Sequence, residues 1–422
     1  MKTLLLFCGL ISAPFADAQF SQEQISSDFV KYQRRLDFDR NLKERTVKAT
    51  FAEPLDSNTE EKYREACWAI SQFLLRSPEI ENGFHTLFNN YTTIEDATKR
   101  ALLEAVYGIY KTEFRKEING LIGAEKNPKL FAMQALYLYR PDKSKGNQAM
   151  LRNLLAASFP DYMQNVILQQ LDNYLLNHET QVGQPLPDIK VLFEYRKTSG
   201  QKTIYTFQRW NRDFPGLAII QNADGSFMRD SSGKLLTFQQ LARSASDLPF
   251  FITNGSTPQG IYSIQGTDVS HNNLIGPTPN IQLVMPNEAD SVFWHQPYDS
   301  TQSALTNYLN LLPPSWRSYA PMTESFYAGK AGRTEVIAHG TAIDPEYYKN
   351  QPFYPLTPTM GCLCARETWN AFNGRIMQSE QLRMVNAFVS TPVTVGYLFV
   401  INLDNQQNAV TPGEIEKLLP LR

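Results

Sequence analysis

The segment TMGCLCA at residues 359–365 sets a cysteine directly after a glycine, and the fold of the second half of the chain is inferred outward from it. A helical pattern continues through Arg366 and Ile376, which predicts that a helix begins just after Cys362. The backbone N–H groups and the dipole at such a helix start lower the pKa of a thiol and favour the thiolate. Gly361 would let a substrate carbonyl approach the backbone there. Taken alone, the segment fits a buried structural thiol as well as a nucleophilic cysteine, and the choice between them depends on the other motifs.

Two further motifs precede this segment in the chain. VIAHGT at residues 336–341 predicts an apolar strand that ends at His339, with Gly340 allowing close approach of the backbone. Taken alone, a histidine in such a position is more often a satisfied core residue. TPQGIYSI at residues 257–264 predicts a turn that leads into a strand, which by itself is a common arrangement.

In this order, the three motifs resemble those of the L,D-transpeptidase family, whose catalytic domain is of the YkuD type. The family pattern is T-P-x-G-x-[FY]-x-I, then H-G-T, then [ST]-x-G-C before an apolar residue. Residues 391–395, TPVTV, also resemble the last strand of that domain. The resemblance covers residues 188–403, about half of the chain, and implies a mainly β catalytic domain of the YkuD type there.

The resemblance implies cysteine acyl transfer, with peptidoglycan stem peptides as donor and acceptor. Cys362 would attack the carbonyl between the L- and D-centre residues of a stem tetrapeptide, and His339 would act as base and then as acid. Gly340 or Thr341 would orient the imidazole through a carbonyl or a hydroxyl. The N–H groups of Gly361 and Cys362 would hold the oxyanion. Neither a metal nor an organic cofactor is implied.

Other residues around the motifs are candidates for substrate binding. Thr359 would shape or hydrogen-bond the same pocket, and Tyr262 belongs to the first motif. The family has an arginine two residues after the nucleophile, where this chain has Cys364. Arg366 or Arg333 would have to replace that arginine, and the role of Cys364 is left open.

The function implied is that of a peptidoglycan L,D-transpeptidase, which forms 3–3 cross-links or anchors other amines. With water as the acceptor, the same chemistry would be that of an L,D-carboxypeptidase. A non-catalytic scaffold that binds the cell wall through a degenerate domain is the alternative from another class. An insertion at residues 268–335, rich in proline, asparagine and aromatic residues, would be a lid, a substrate groove or surface decoration. Its His271 and His295 are expected to be surface or groove residues.

The first half of the chain has a different character. Residues 1–18 carry a positive start, a short apolar run and an A-x-A site, which predicts a signal peptide and an exported protein of the periplasm or cell envelope. Residues 19–181 show apolar residues at helical spacing and predict an all-α helical bundle or short solenoid. Ser77 and Asn127, each followed by a proline, predict two of the helix starts. Residues 182–187 are predicted to be a linker and residues 404–422 a C-terminal tail. After the linker, the apolar run at residues 189–193 predicts a strand, and residues 235–243 predict a short helix. The expected fold class is therefore multidomain α+β.

The composition of the chain limits the classes of partner that it can be expected to bind. Forty lysine and arginine residues stand against 42 aspartate and glutamate residues, which argues against nucleic-acid binding through bulk charge. Four cysteines are too few for a disulfide scaffold, and Cys67 is expected to be buried. No later apolar run is long enough for a membrane span. The helical half would serve as a spacer or present a surface to the glycan strand or to a wall or envelope protein.

Overall fold

The computed structural model describes residues 20–420, so the predicted signal peptide at residues 1–18 lies outside the described residues. Within that range, no helix combines the length and the apolar character needed to cross a bilayer.

Helices fill the first half of the described chain, and they begin where short polar side chains can cap them. The Ser77 hydroxyl accepts the N–H of Ile80, and the Asn127 side-chain oxygen accepts the N–H of Lys129. In both helices a proline stands at the first position, where no N–H is needed. The helices are α1 (Tyr32–Arg40), α2 (Thr50–Ala52), α3 (Glu60–Phe73), α4 (Pro78–Asn89), α5 (Asp96–Ile109), α6 (Arg115–Leu121), α7 (Pro128–Tyr139), α8 (Lys145–Ser158) and α9 (Val166–Val182), with a π-helical segment at Asn41–Ala49.

The second half contains further helices among its strands. These helices are α10 (Ile189–Lys197), α11 (Asp290–Phe293), α12 (Ala304–Leu309), α13 (Glu324–Lys330), α14 (Glu380–Val389) and α15 (Pro412–Leu418). The strands are β1 (Lys202–Arg209), β2 (Gly216–Gln221), β3 (Phe238–Leu241), β4 (Gly260–Asp268), β5 (Asn280–Val284), β6 (Ile337–His339), β7 (Leu363–Ala365), β8 (Glu367–Trp369), β9 (Ile376–Ser379) and β10 (Gly396–Asp404).

Eight of these strands close into a mixed barrel in the order β1-β10-β4-β5-β6-β7-β3-β2, and β8 pairs with β9 separately. β1 runs parallel to β10 and β6 runs parallel to β7, whereas the other barrel pairs are antiparallel. Closure leaves the barrel without a free edge. It also places the strand that ends at His339 directly beside the strand that follows Cys362.

Both faces of the long strands are buried, because each face packs into a different apolar cluster. Ile204, Ile220 and Leu398 belong to the cluster that all eight barrel strands reach, and Phe388 of α14 packs into the same cluster. The alternate residues of the strands, such as Tyr205, pack on the outer face of the barrel. That outer face is covered by α10, α15 and the segment that contains α11 to α13.

The expected fold class is wrong. The described chain is not a helical bundle followed by a mainly β domain of the YkuD type; it holds a closed mixed barrel with helices before, between and after its strands. The apolar run at residues 189–193 was expected to be a strand, but it lies in α10, where Ile189, Leu192 and Phe193 form one buried helical face after the Asp188 cap.

Two predicted helices are also wrong. A short helix at residues 235–243 is in fact the region of β3, and the helix predicted after Cys362 is replaced by β7, β8 and β9. The pairing of Leu363 with Ala338 gives the reason, because it closes the barrel and buries both side chains in the shared cluster. Tertiary pairing therefore overrides the local helical pattern.

The helical half and the barrel share one apolar core. Leu248 and Tyr348, which belong to the barrel half, are buried in the same cluster as Phe73 and the helices around it. The Tyr348 hydroxyl also donates to the Gln72 carbonyl oxygen at 2.7 Å. Cys67 lies in this core, as expected from the sequence. The two halves are therefore packed together over buried surface.

A Leu248→Ala substitution should lower the free energy of unfolding by about 2–5 kcal/mol, because it opens a cavity in the shared core. Urea unfolding should show one transition by both helical circular dichroism and tryptophan fluorescence. Leu176→Ala, at a side chain that is 42% exposed, is the matched control and should change the free energy by about 0.5 kcal/mol or less. Two separate transitions would contradict a shared core.

Candidate active site

The parallel pairing of β6 with β7 brings the histidine motif and the cysteine motif together. Ala338 pairs with Leu363, and His339 pairs with Cys364. The partly buried Cys362 precedes β7, and its Sγ lies 3.5 Å from the Ile337 N–H. Two segments more than twenty residues apart in sequence thus form one surface.

Side-chain hydroxyls shape the turn that carries Cys362. The Thr359 hydroxyl donates to the Cys362 carbonyl oxygen at 2.9 Å and accepts the Gly361 N–H at 3.0 Å. The Thr257 hydroxyl donates to the Gly361 carbonyl oxygen at 2.9 Å. A substrate oxyanion would therefore have to displace Thr359 to reach the Gly361 N–H, whereas the Cys362 N–H is not held by that hydroxyl.

A buried arginine packs beneath this turn. Arg333 is 4% exposed, and its guanidinium donates to the carbonyl oxygens of Phe250, Gly255 and Ser256. Within residues 20–420 it has no carboxylate partner. Gly361 has a φ of 119°, and a Cβ there would lie 2.3 Å from Arg333 Nη2. Only glycine fits between the turn and the cation.

The histidine is buried and its tautomer is set by its neighbour. His339 Nδ1 donates to the Gly340 carbonyl oxygen, which leaves Nε2 without a proton and able to act as a base. Burial lowers the pKa of His339 to about 4, so the imidazole is neutral at pH 7. Among the described residues no hydrogen bond joins His339 to Cys362.

The thiol is neutral in the resting structure. Burial raises the pKa of Cys362 to about 11, although the Ile337 N–H and the Arg333 charge act in the opposite direction. In the described chain Cys362 is followed directly by β7 and not by a helix start, so the helix-start mechanism that the sequence suggested for lowering the thiol pKa is wrong. Arg333 is the nearby positive charge instead.

Behind the histidine lies an acid that nothing in the sequence pattern marks. Glu367 is buried, and its Oε2 accepts the N–H of Thr341 at 3.0 Å. Burial raises the pKa of Glu367 to about 7, while the Ser379 hydroxyl lowers it. A Cβ on Gly340 would lie 2.2 Å from this carboxyl group. Its position depends on strand pairing that a single sequence does not reveal.

The remaining candidates lie apart from the thiol. Arg366 is exposed and lines a surface pocket with Glu380 and Arg383, a pocket that Cys362 does not line. The Tyr262 ring is buried among the apolar residues of the barrel, and its hydroxyl donates to the Pro258 carbonyl oxygen at 2.7 Å. Of the two arginines suggested by the sequence, the structure brings Arg333 to the nucleophile turn and leaves Arg366 outside it.

Cys364 is a buried neighbour of the catalytic candidates. It is 1% exposed and its Sγ lies 3.5 Å from the Thr357 hydroxyl. Burial raises the pKa of Cys364 to about 12, which makes it a poor nucleophile at neutral pH.

The predicted insertion at residues 268–335 contributes β5 to the barrel wall, and its helices α11 to α13 pack on the outer face of the barrel. The Tyr308 hydroxyl accepts the Ile261 N–H at 2.9 Å, and the Trp316 indole donates to the Asp188 carbonyl oxygen at 3.1 Å. His271 is exposed, whereas His295 Nε2 lies 2.7 Å from the Ser263 hydroxyl. In the contacts of the described residues, the insertion reaches the nucleophile turn through its end, at Arg333 and Glu335.

Comparisons of the chain with protein-family models, with curated proteins and with solved structures found no match. Within the described range, no three histidine, cysteine, aspartate or glutamate side chains cluster as ligands of a metal ion would.

Alkylation of Cys362 by iodoacetamide should be slow at pH 7 and should rise about tenfold per pH unit up to pH 9, because the thiol pKa is about 11. Intact mass measurement follows the single adduct. In protein that lacks residues 1–18, which contain Cys8, Cys362→Ser should remove it, since Cys67 and Cys364 are buried. A rate that levels off by pH 8 would show a thiolate and contradict this description.

Proposed function

We propose that the protein is a cysteine acyltransferase: a peptidoglycan L,D-transpeptidase that forms 3–3 cross-links, or anchors other amines, through a thioester at Cys362. The observation that carries the proposal is the parallel pairing that sets the Cys362 turn beside the strand ending at His339. A partly buried thiol, a neutral imidazole with a free Nε2 and a buried cation are the groups that thioester chemistry needs. The resemblance of the three motifs supplies the substrate class.

Because both groups are neutral at rest, proton transfer would accompany the attack. The Cys362 Sγ bonds to the donor carbonyl carbon while its proton moves to His339 Nε2. This requires the substrate complex to bring the two side chains within hydrogen-bond reach, since catalytic contacts are often long in ligand-free structures. The Arg333 charge beneath the turn favours the negative charge that develops there.

The imidazolium then returns its proton to the departing amine of the terminal D-residue, and the carbon–nitrogen bond breaks to leave the thioester. An acceptor amine attacks this thioester, forms the new amide and restores the Cys362 thiol. With water as the acceptor, the product is a shortened stem peptide, which is the carboxypeptidase reaction.

The proposed substrate also places the chain outside the cytoplasm. We propose that the protein is exported to the periplasm or cell envelope, as residues 1–18 suggest. The helical half would then lie beside the glycan strand or an envelope protein, because it is packed onto the barrel and not held apart from it.

A carbapenem should acylate Cys362 and add its mass to the intact protein, because the β-lactam carbonyl is attacked as the donor carbonyl would be. Cys362→Ala should abolish the adduct. Cys364→Ala is the matched control and should keep it, since that thiol is buried two residues away. An adduct that persists in Cys362→Ala would contradict the assignment of the nucleophile.

Incubation with purified tetrapeptide muropeptides should yield a dimer with a 3–3 link, measured by liquid chromatography and mass spectrometry. A tripeptide monomer alone would favour the carboxypeptidase. If neither product forms and wall fragments still bind, the transpeptidase proposal fails and the non-catalytic scaffold replaces it. Two features favour that scaffold. Burial raises the pKa of the Cys362 thiol, and among the described residues no hydrogen bond joins this thiol to His339.

A further inference from the structure

The Glu367 carboxylate joins three elements behind the histidine. It lies on β8, its Oε2 accepts the Thr341 N–H just past the end of β6, and its Oε1 accepts the Ser379 hydroxyl at 2.6 Å. Ser379 in turn caps α14, because its hydroxyl oxygen accepts the Leu382 N–H at 2.8 Å. The carboxylate is therefore fixed from two sides.

The hydrogen bond to Thr341 bears directly on His339. The Thr341 N–H and the Gly340 carbonyl belong to one planar peptide unit, and in a trans peptide they point in opposite directions. Glu367 accepts from the N–H end of this unit, and the carbonyl end accepts from His339 Nδ1. The peptide unit links the carboxylate to the imidazole in a chain of two hydrogen bonds.

This chain of hydrogen bonds orients the His339 imidazole and polarises the Gly340–Thr341 peptide unit. A carboxyl oxygen that accepts the N–H strengthens the acceptor character of the carbonyl at the other end of the peptide unit, since serial hydrogen bonds reinforce one another. The Trp369 indole N–H donates to the Thr341 carbonyl oxygen at 2.8 Å and holds the following peptide unit. Gly340 has no side chain, and this allows the carboxyl group to lie against the backbone.

Resting on the proposed acyl transfer, we propose that Glu367 is a positioning residue that acts on His339 through the Gly340–Thr341 peptide unit. It fixes the imidazole in the Nδ1–H tautomer and keeps Nε2 available as the base. The arrangement fills the role that an aspartate hydrogen-bonded to the histidine fills in a serine protease triad, with a backbone amide interposed.

Glu367→Ala should lower kcat for acylation of Cys362 about 10–100-fold, the range seen when the hydrogen-bond partner of a metal-bound histidine is lost, and leave KM near the wild-type value. Glu367→Gln should recover most of the rate, because its amide oxygen can accept from Thr341 and its amide N–H can donate to Ser379. Tyr205→Phe removes a buried hydrogen bond to Gln221 on the outer face of the barrel and is the control for general destabilisation. If Glu367→Ala does not fold, Glu367→Asp, one methylene shorter, takes its place.

A second readout does not depend on activity. In protein labelled with ¹⁵N-histidine, the ring nitrogens of His339, assigned with His339→Gln, should show the pure Nδ1–H pattern at pH 7. Glu367→Ala should introduce the Nε2–H pattern, whereas Tyr205→Phe should not. Wild-type kcat and an unchanged tautomer in Glu367→Ala would overturn the inference. Absence of any acylation in the wild type would refute the proposed function, and the tautomer measurement would still decide the role of Glu367.

Discussion

The candidate site depends on one short parallel pairing, that of β6 with β7. Two residue pairs, Ala338 with Leu363 and His339 with Cys364, connect the side of the barrel that contains β4 and β5 to the side that contains β2 and β3. The same few hydrogen bonds set His339 and the Cys362 turn side by side. The pairing that completes the barrel is therefore also the pairing that brings the candidate residues together. A barrel without edges holds both strand ends in a fixed register.

The electrostatics of the site follow from burial. Removal from water disfavours charge on both candidate groups, so the thiol pKa rises and the imidazole pKa falls. The exception is Arg333, a buried cation held by three backbone carbonyls in place of a carboxylate. A buried charge without a counter-charge is costly. In the proposed reaction this charge would lie beneath the turn where negative charge develops.

Local features of the sequence predicted local structure well. Ser77 and Asn127 predicted helix starts, residues 257–264 gave a turn and a strand, and His339 does end a strand. These features are encoded within a few residues of chain. The signal peptide, the substrate class and the cellular location stay predictions, because the described structure does not bear on them.

Errors arose where pairing partners are distant in sequence. The apolar pattern of residues 189–193 suits both a strand and one face of a helix. These residues form a helix because one helical face packs against the outer face of the barrel. The segment after Cys362 has a helical pattern, yet its neighbours in β3 and β6 make it a strand. For the same reason Glu367 could not be foreseen, since its partners lie in two other segments.

The pairing of β1 with β10 also affects the order in which the barrel can form during synthesis. Residue 202 pairs with residue 396, so during synthesis the first barrel strand emerges long before its parallel neighbour exists. Until then β1 has a hydrogen-bonding edge open to other chains. The helical half, made earlier and rich in local contacts, can fold meanwhile and offer its apolar face as a platform. A nascent chain arrested before residue 396 would therefore be prone to aggregation through that unpaired edge.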